Sequence, residues 1–186
     1  MTIYEHIEKI RNDKLISQNF INSVKYEKSP NIDVIDNNIK TRTEIVELLL
    51  ADFSNKDIDL IRFLFDEEFK CAQETRRQYN LYQLSFYLYN LGNLQDIYRI
   101  YAAKYKIMDM DIATMMDRSM LYMNHKIDSV IEFVENDFKT KDGVKAKYPE
   151  ILDELYDLKQ EPDYENEEAY NLFIRGYFYG HKNISP

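Results

Sequence analysis

The sequence predicts an all-α chain, an array of antiparallel helical hairpins, with an irregular helical bundle as the alternative. Three observations carry this. The 186 residues include only 4 Gly and 4 Pro. The usual combined share is about 12%, so little is left for the glycine-rich turns that β-hairpins, dinucleotide-binding units and phosphate loops require. Apolar residues recur at i, i+3, i+4 and i+7 along most of the chain. With 45% hydrophobic and 31% charged residues, there is material for one core under a solvated surface, at the size of a single domain.

Helix starts are marked where Thr or Ser precedes an apolar-periodic segment with an acidic residue three places on, so that two side chains satisfy orphan backbone donors reciprocally. Thr2 with Glu5, Thr41 with Glu44 and Ser54 with Asp57 fit this pattern. The first opens a helix carrying Ile3, Ile7 and Ile10. Residues 25–40, with Ser29-Pro30-Asn31 and Asn37-Asn38, read as a polar connection. An N-terminal piece (1–40) thus leads into a helical-repeat body (41–186), the two expected to form one structural domain.

In the body, a helix with Ile45, Leu48, Leu49 and Phe53 crosses Ser54-Asn55-Lys56 into the stripe Ile58, Ile61, Arg62, Phe65, Phe69. A helix over 78–91 with Leu81, Leu84, Leu88 and Leu91 crosses Gly92-Asn93 into Leu94, Ile97, Tyr98, Tyr101, Tyr105. A third, with Ile112, Met116, Met120 and Met123, crosses Asn124-His125-Lys126 into Ile127, Val130, Ile131, Val134, Phe138. After a loop at 140–145 containing Gly143, Pro149 opens a fourth with Ile151, Leu152, Leu155 and Leu158, followed by Tyr170, Phe173, Ile174, Tyr177, His181. The four stripes are offset by 36, 33 and 43 residues, which reads as four helical hairpins in series. Amphipathic helices in a non-repetitive bundle carry the same stripe.

The second hairpin resembles a tetratricopeptide repeat, whose pattern is W-x2-L-G-x2-Y, then A-x3-F and a Pro. Leu81-x2-Leu84-Ser85-x2-Leu88 occupies its first helix and Ile97-x3-Tyr101 its second, with Gly92 at the turn. Leu81 stands for Trp, Ser85 for Gly, Ile97 for Ala and Asp109 for the Pro, and larger residues at close-packed positions push helices apart. The resemblance covers about one repeat. It implies a non-catalytic scaffold for a protein or peptide partner and carries no catalytic residues.

On the helix over 78–91, Tyr79, Tyr82, Phe86 and Tyr89 cluster opposite the leucines at 100° per residue. A helix apolar on two faces either lies between neighbours or offers one to a partner. Tyr79, Tyr82, Phe86 and Tyr89, with Arg76 and Arg77 one turn earlier, are therefore the candidate partner-binding residues; the alternative is that the rings pack on the next hairpin.

The net charge is -9, which opposes nucleic acid. Residues 150–170 hold nine carboxylates and one cation, so this segment carries -8 and the remainder -1. Asp153, Glu154, Asp157, Glu161, Asp163 and Glu165 form a candidate surface for a basic protein, as in an inhibitor or immunity-type protein that neutralises a basic toxin or nuclease. The plain alternative is a solvated helix face.

Recognisable chemistry is sparse. His6, His125 and His181 lie far apart in sequence, no Glu-x-x-His pattern occurs, and the four glycines permit no Gly-x-Ser-x-Gly elbow. Cys71, the single cysteine, excludes an internal disulfide and suits a reducing, cytoplasmic setting. Six of the seven methionines fall within 108–123, as core, as an adaptable partner surface or as soft Cu(I) ligands. No catalytic residue, metal or cofactor is assigned, and an enzyme with a dispersed site is the residual alternative. Residues 1–8 are too polar for a signal peptide. The longest aliphatic run, Leu48-Leu49-Leu50-Ala51, is far too short for a membrane span.

Overall fold

The computed structural model describes residues 2–30, 36–77 and 79–180. Over these, α1 spans Ile3–Asp13, α2 Gln18–Val24, α3 Ile39–Leu49, α4 Ile58–Thr75, α5 Leu81–Leu91, α6 Ile97–Tyr105, α7 Met110–Met115, α8 Ile127–Thr140, α9 Val144–Lys147, α10 Ile151–Gln160 and α11 Glu167–Tyr179. Short 3-10 turns lead into α4 and α6, and another covers Arg118–Tyr122. Among the described residues there is no strand, only one bridge between Lys28 and Asp36. No helix there is long and apolar enough to cross a membrane. Asn31 in the connection, Gln78 at the predicted helix start and His181 at the end of the fourth stripe lie outside the described residues.

Reciprocal caps set two of the starts. The Thr2 amide donates to Glu5 Oε2 at 2.7 Å and the Glu5 amide to Thr2 Oγ1 at 3.2 Å. The Ser54 amide donates to Asp57 Oδ2 at 2.9 Å. The third predicted start is displaced: α3 begins at Ile39, with Asn38 as its cap and Thr41 inside the helix. The reason lies upstream, where Asp36 Oδ1 accepts from the amides of Asn38 (2.9 Å) and Glu27 (3.2 Å) and sets the chain turning earlier.

The junctions Ser54–Asp57 and Asn93–Asp96 are built alike. Each has a side-chain oxygen accepting from a backbone amide, a 3-10 turn, and a fully buried aspartate just before the following helix. Arg11 Nε holds Asp57 at 2.7 Å, and Arg62 Nη2 and Arg99 Nη1 hold Asp96 at 2.8 and 2.9 Å. Structurally, then, Ile58 corresponds to Ile97, an offset of 39 residues rather than 36. The closest helix packing is α4 on α5 and α8 on α10. Both pairs straddle the predicted hairpins.

The predicted helix over Ile112, Met116, Met120 and Met123 is broken. Met116 and Asp117 are extended, and a 3-10 turn follows. Lys104, from α6, ends α7 by donating through Nζ to the carbonyls of Ala113 (3.0 Å) and Met116 (2.5 Å). Asp117 is then free to accept the hydroxyls of Tyr82 (2.8 Å) and Tyr170 (3.2 Å), tying α5 to α11. Met116, Met120 and Met123 are nevertheless buried, while Met108 and Met110 are 84% and 81% exposed; the methionine cluster is half core and half surface. Pro149 is likewise not helical: α9 begins within the predicted loop and runs past it to Lys147, and α10 starts after Glu150.

Gly92 ends α5 at φ +64°, where a Cβ would stand 3.4 Å from the Met123 carbonyl oxygen. That left-handed conformation and close approach suit glycine. One apolar cluster runs from Ile7, Phe20 and Val24 through Leu64 and Leu84 to Leu155 and Ile174, so the N-terminal piece shares the core of the body.

Candidate functional site

The aromatic stripe of α5 is covered from within. Phe86 stacks on Phe178 with centroids 4.3 Å apart, Tyr82 packs edge-on to Tyr177 at 5.4 Å, and Tyr89 meets Tyr170 edge-on at 5.4 Å. Tyr82, Phe86 and Tyr89 are buried, and burial, reinforced by the charge of Asp117, pushes the Tyr82 hydroxyl well above its usual range. As a face offered to a partner, these three are corrected: α11 brings its own aromatic rings to the same face and occupies it. Tyr79 alone is open, 46% exposed, over a shallow hollow with Ile39, Lys40, Thr43, Glu44 and Glu47. Arg76 donates to the Met108 carbonyl and Arg77 is exposed; both sit in the α4–α5 turn.

Tyr89 adds a defect to this interface. Its hydroxyl is buried without a hydrogen-bond partner, which costs about 1–3 kcal/mol relative to a satisfied group. Tyr89→Phe is therefore expected to raise unfolding free energy by about 1 kcal/mol in urea titrations. A loss of similar size would show that the hydroxyl has a partner.

The acidic segment is partly neutralised by the chain itself. Arg118 donates through Nε to Asp163 at 2.8 Å, through Nη1 to Asp157 and through Nη2 to the Glu161 carbonyl. Glu154 accepts the Tyr105 hydroxyl at 2.6 Å. Asp153, Glu161 and Glu165 are exposed. Of the six candidate carboxylates, Glu154, Asp157 and Asp163 bond other side chains of the chain, and all but Glu154 are exposed.

His6 packs against Phe20, and His125 lies 2.7 Å from the Gly92 carbonyl through Nε2. His125 does share a hollow with Glu167 and Glu168. Glu167, however, accepts the Ile127 amide at the start of α8, so both groups are engaged in closing helix ends. Cys71 is buried, which pushes its thiol up to about 11. Among the described residues no group of three His, Cys, Asp or Glu is placed to hold a metal ion.

A different feature is open and built from several elements. A groove of about 730 Å³ runs between α4 and α6 and is closed at one end by Lys147 and Tyr148. Its floor is aromatic: Phe65 and Phe69 stack at 6.4 Å, and Tyr98 lies 4.8 Å from Tyr148. Tyr98 is anchored by donating its hydroxyl to Asp137 at 2.9 Å. The rim carries Lys70, Arg99, Lys106 and Lys147 against one carboxylate, Asp66. Arg99 is satisfied by Asp66 (3.0 Å) and Asp96 (2.9 Å), and Lys70 pairs with Glu67. Lys106 and Lys147 instead bracket one ring, with ammonium nitrogens 4.5 and 5.3 Å from the Tyr148 centroid.

Sequence reasoning missed this groove because its lining comes from two helices and a distant turn. Phe65 and Phe69 belong to the apolar stripe of α4, which by itself does not tell a core ring from a groove ring, and Lys147 and Tyr148 stand just beyond the predicted loop. Comparison with protein-family models, curated proteins and solved structures finds no match.

Proposed function

We propose that the chain is a non-catalytic helical-repeat scaffold that holds a protein or peptide partner in the groove between α4 and α6. The observation that carries the reading is the groove itself, where half-buried Phe69 and Tyr98 lie beside exposed Lys106 and Lys147 over buried Phe65 and Tyr148, while the aromatic face of α5 is covered by α11. Rings that combine apolar area with a hydroxyl or an adjacent ammonium suit a surface that alternates between water and a partner. The like-built junctions at Ser54–Asp57 and Asn93–Asp96 support a tetratricopeptide-like repeat, and the buried single thiol suits a cytoplasmic setting. The exposed Asp153, Glu161 and Glu165 favour the inhibitor reading, but Arg118 draws Asp157 and Asp163 away from it.

The test is capture from lysate of the chain's own cell on immobilised full-length protein, comparing wild type with Phe69→Ala/Lys106→Ala and Tyr79→Ala. A protein retained at about 0.5 M salt by wild type and Tyr79→Ala, and reduced at least about tenfold by the groove variant, is the expected result. Identical capture by all three sinks the groove. Loss of the captured protein at high salt together with dependence on Asp153 and Glu161 would transfer the function to the acidic face.

A further inference from the structure

The charges on the groove rim are not all balanced within the chain. Lys70 pairs with Glu67, and Arg99 with Asp66 and Asp96. Lys106 and Lys147 are left over. Both are exposed and stand over the Tyr148 ring, Lys106 Nζ also donates to the Lys147 carbonyl, and among the described residues neither meets a carboxylate. Two ammonium groups thus share one end of the groove, on a chain whose net charge is -9. An exposed ring face gives a cation only about 0.5–1 kcal/mol and does not relieve the repulsion between the two.

Beside this positive end the lining dips. Along α6, Tyr98, Ala102 and Lys106 follow one another every four residues and form one ridge of the groove. Half-buried Ala102 is its small member, one turn of helix from Lys106, and half-buried Phe69 of α4 lines the other side. The stretch of α4 along the groove, Phe65 to Gln73, is about 12 Å long, which accommodates about four residues of extended chain.

We infer that the groove takes a short acidic peptide segment of its partner, which lays one aromatic or large aliphatic side chain at Ala102 and an adjacent Asp or Glu on Lys106 and Lys147. This rests on the groove being the docking site of the proposed function and adds the chemistry of what docks there. The two lysines act as one positive focus over one ring, so the segment needs an acid next to its apolar anchor and not an extended acidic row. Neutral segments leave the two like charges without a counter-charge, and basic segments are repelled. Salt at about 0.5 M screens the lysines but not the apolar anchor, so the preference for acid weakens there while the anchor still holds.

Display selection on the immobilised full-length chain tests it, with random segments of about eight residues, twice what the groove holds, set inside a carrier protein so that neither terminus is free. At about 0.15 M salt the enriched segments should carry Phe, Tyr, Trp or Leu with Asp or Glu next to it or one residue away. Fluorescence anisotropy with the most enriched segment should then show binding about fivefold weaker to Lys106→Ser/Lys147→Ser and within about twofold of wild type for Lys106→Arg/Lys147→Arg. Ala102→Leu fills the dip without touching a charge and should weaken binding at least about tenfold. Circular dichroism checks that helicity is kept, and Lys147→Ser alone gives a smaller loss in the same direction. Enriched segments that are neutral or basic overturn the inference, as does binding that ignores Lys106→Ser/Lys147→Ser or a selection that enriches nothing. If neutral segments are enriched and lose binding in Ala102→Leu, the groove stands as the docking site and only the chemistry of its occupant fails. If enriched segments ignore both Ala102→Leu and Phe69→Ala/Lys106→Ala, the proposed function fails as well; if nothing is enriched, capture from lysate still decides it.

Discussion

Raising the pH should unfold this protein in one step, and the tyrosines themselves should report it. Tyr87, Tyr89 and Tyr170 are fully buried and Tyr82 nearly so. Burial pushes all four hydroxyls above their ordinary range, and Tyr101 is pushed up to about 12. The sign follows from the neutral form being the protonated one. Below about pH 10 the tyrosines are protonated in both folded and unfolded chains, so their full contribution to stability is present. Above it the unfolded chain releases protons that the fold retains, and stability falls until the raised folded values are reached.

Each such tyrosine removes about 1.4 kcal/mol per pH unit, so four remove about 5 kcal/mol per unit. A typical stability of about 5–15 kcal/mol is therefore exhausted within about one to three units above pH 10. Cys71 acts in the same direction, since burial raises its thiol to about 11. Lys104 acts in the opposite one, because burial lowers its ammonium and stability is gained as pH rises through it. It is a single group against the six just named. The chain has 16 Tyr and no Trp, so tyrosinate absorbance is uncluttered. It should rise cooperatively and coincide with loss of helical circular dichroism. Four tyrosines are exposed from the start, so the cooperative step belongs to the buried rings; the whole absorbance change completed with helicity intact would mean that solvent reaches those rings.

This arrangement also shows what was legible in the sequence. Scarce Gly and Pro and the pattern of Thr or Ser with an acid three residues on mark helices locally, and α1 and the Ser54–Asp57 turn start where those residues stand. The register of the repeat was one turn off because apolar stripes recur every three or four residues, so a slip by a turn matches almost as well. Only the buried aspartates, visible as Asp57 and Asp96 before an isoleucine, distinguish the offsets. The break at Met116 and Asp117 depends on Lys104 of another helix, which no local window contains. The aromatic face of α5 found its cover in Tyr170, Tyr177 and Phe178, and that second aromatic helix in the same chain was the available signal.

Arg42 was missed altogether, yet it shares a helical face with Ile45, Val46 and Leu49, all buried. Substituting it should be the most damaging single change on α3. Its guanidinium is fully buried. Nε donates to Glu68 Oε1 at 2.7 Å, Nη1 to the Val24 carbonyl at 3.0 Å, and Nη2 to Asp36. Asp36 and Glu68 are equally inaccessible, and Asn80 Nδ2 bridges Glu68 Oε1 and Thr43 Oγ1 at 3.0 Å each. One cation thus joins the end of α2, the turn before α3, the middle of α4 and the start of α5.

Arg42→Ala leaves two carboxylates buried without their counter-charge, at a cost of about 3–5 kcal/mol. The cost arises from the stranded charges rather than from any large net value of the ion pairs, because desolvation offsets most of the Coulomb gain. That distinction is testable. Arg42→Met/Asp36→Asn/Glu68→Gln removes all three charges, and Asn at 36 keeps an acceptor for the amides of Glu27 and Asn38. The triple variant should therefore recover more than half of the loss, even though it carries more substitutions. Glu68 Oε2, which has no partner in the wild type, makes Gln at 68 easier to accept than at a fully bonded carboxylate. Urea denaturation of the single and triple variants decides between the accounts. If Arg42→Ala costs under about 1 kcal/mol, the carboxylates are reached by water; if the triple variant is the weaker of the two, the network is worth more intact than its desolvation costs.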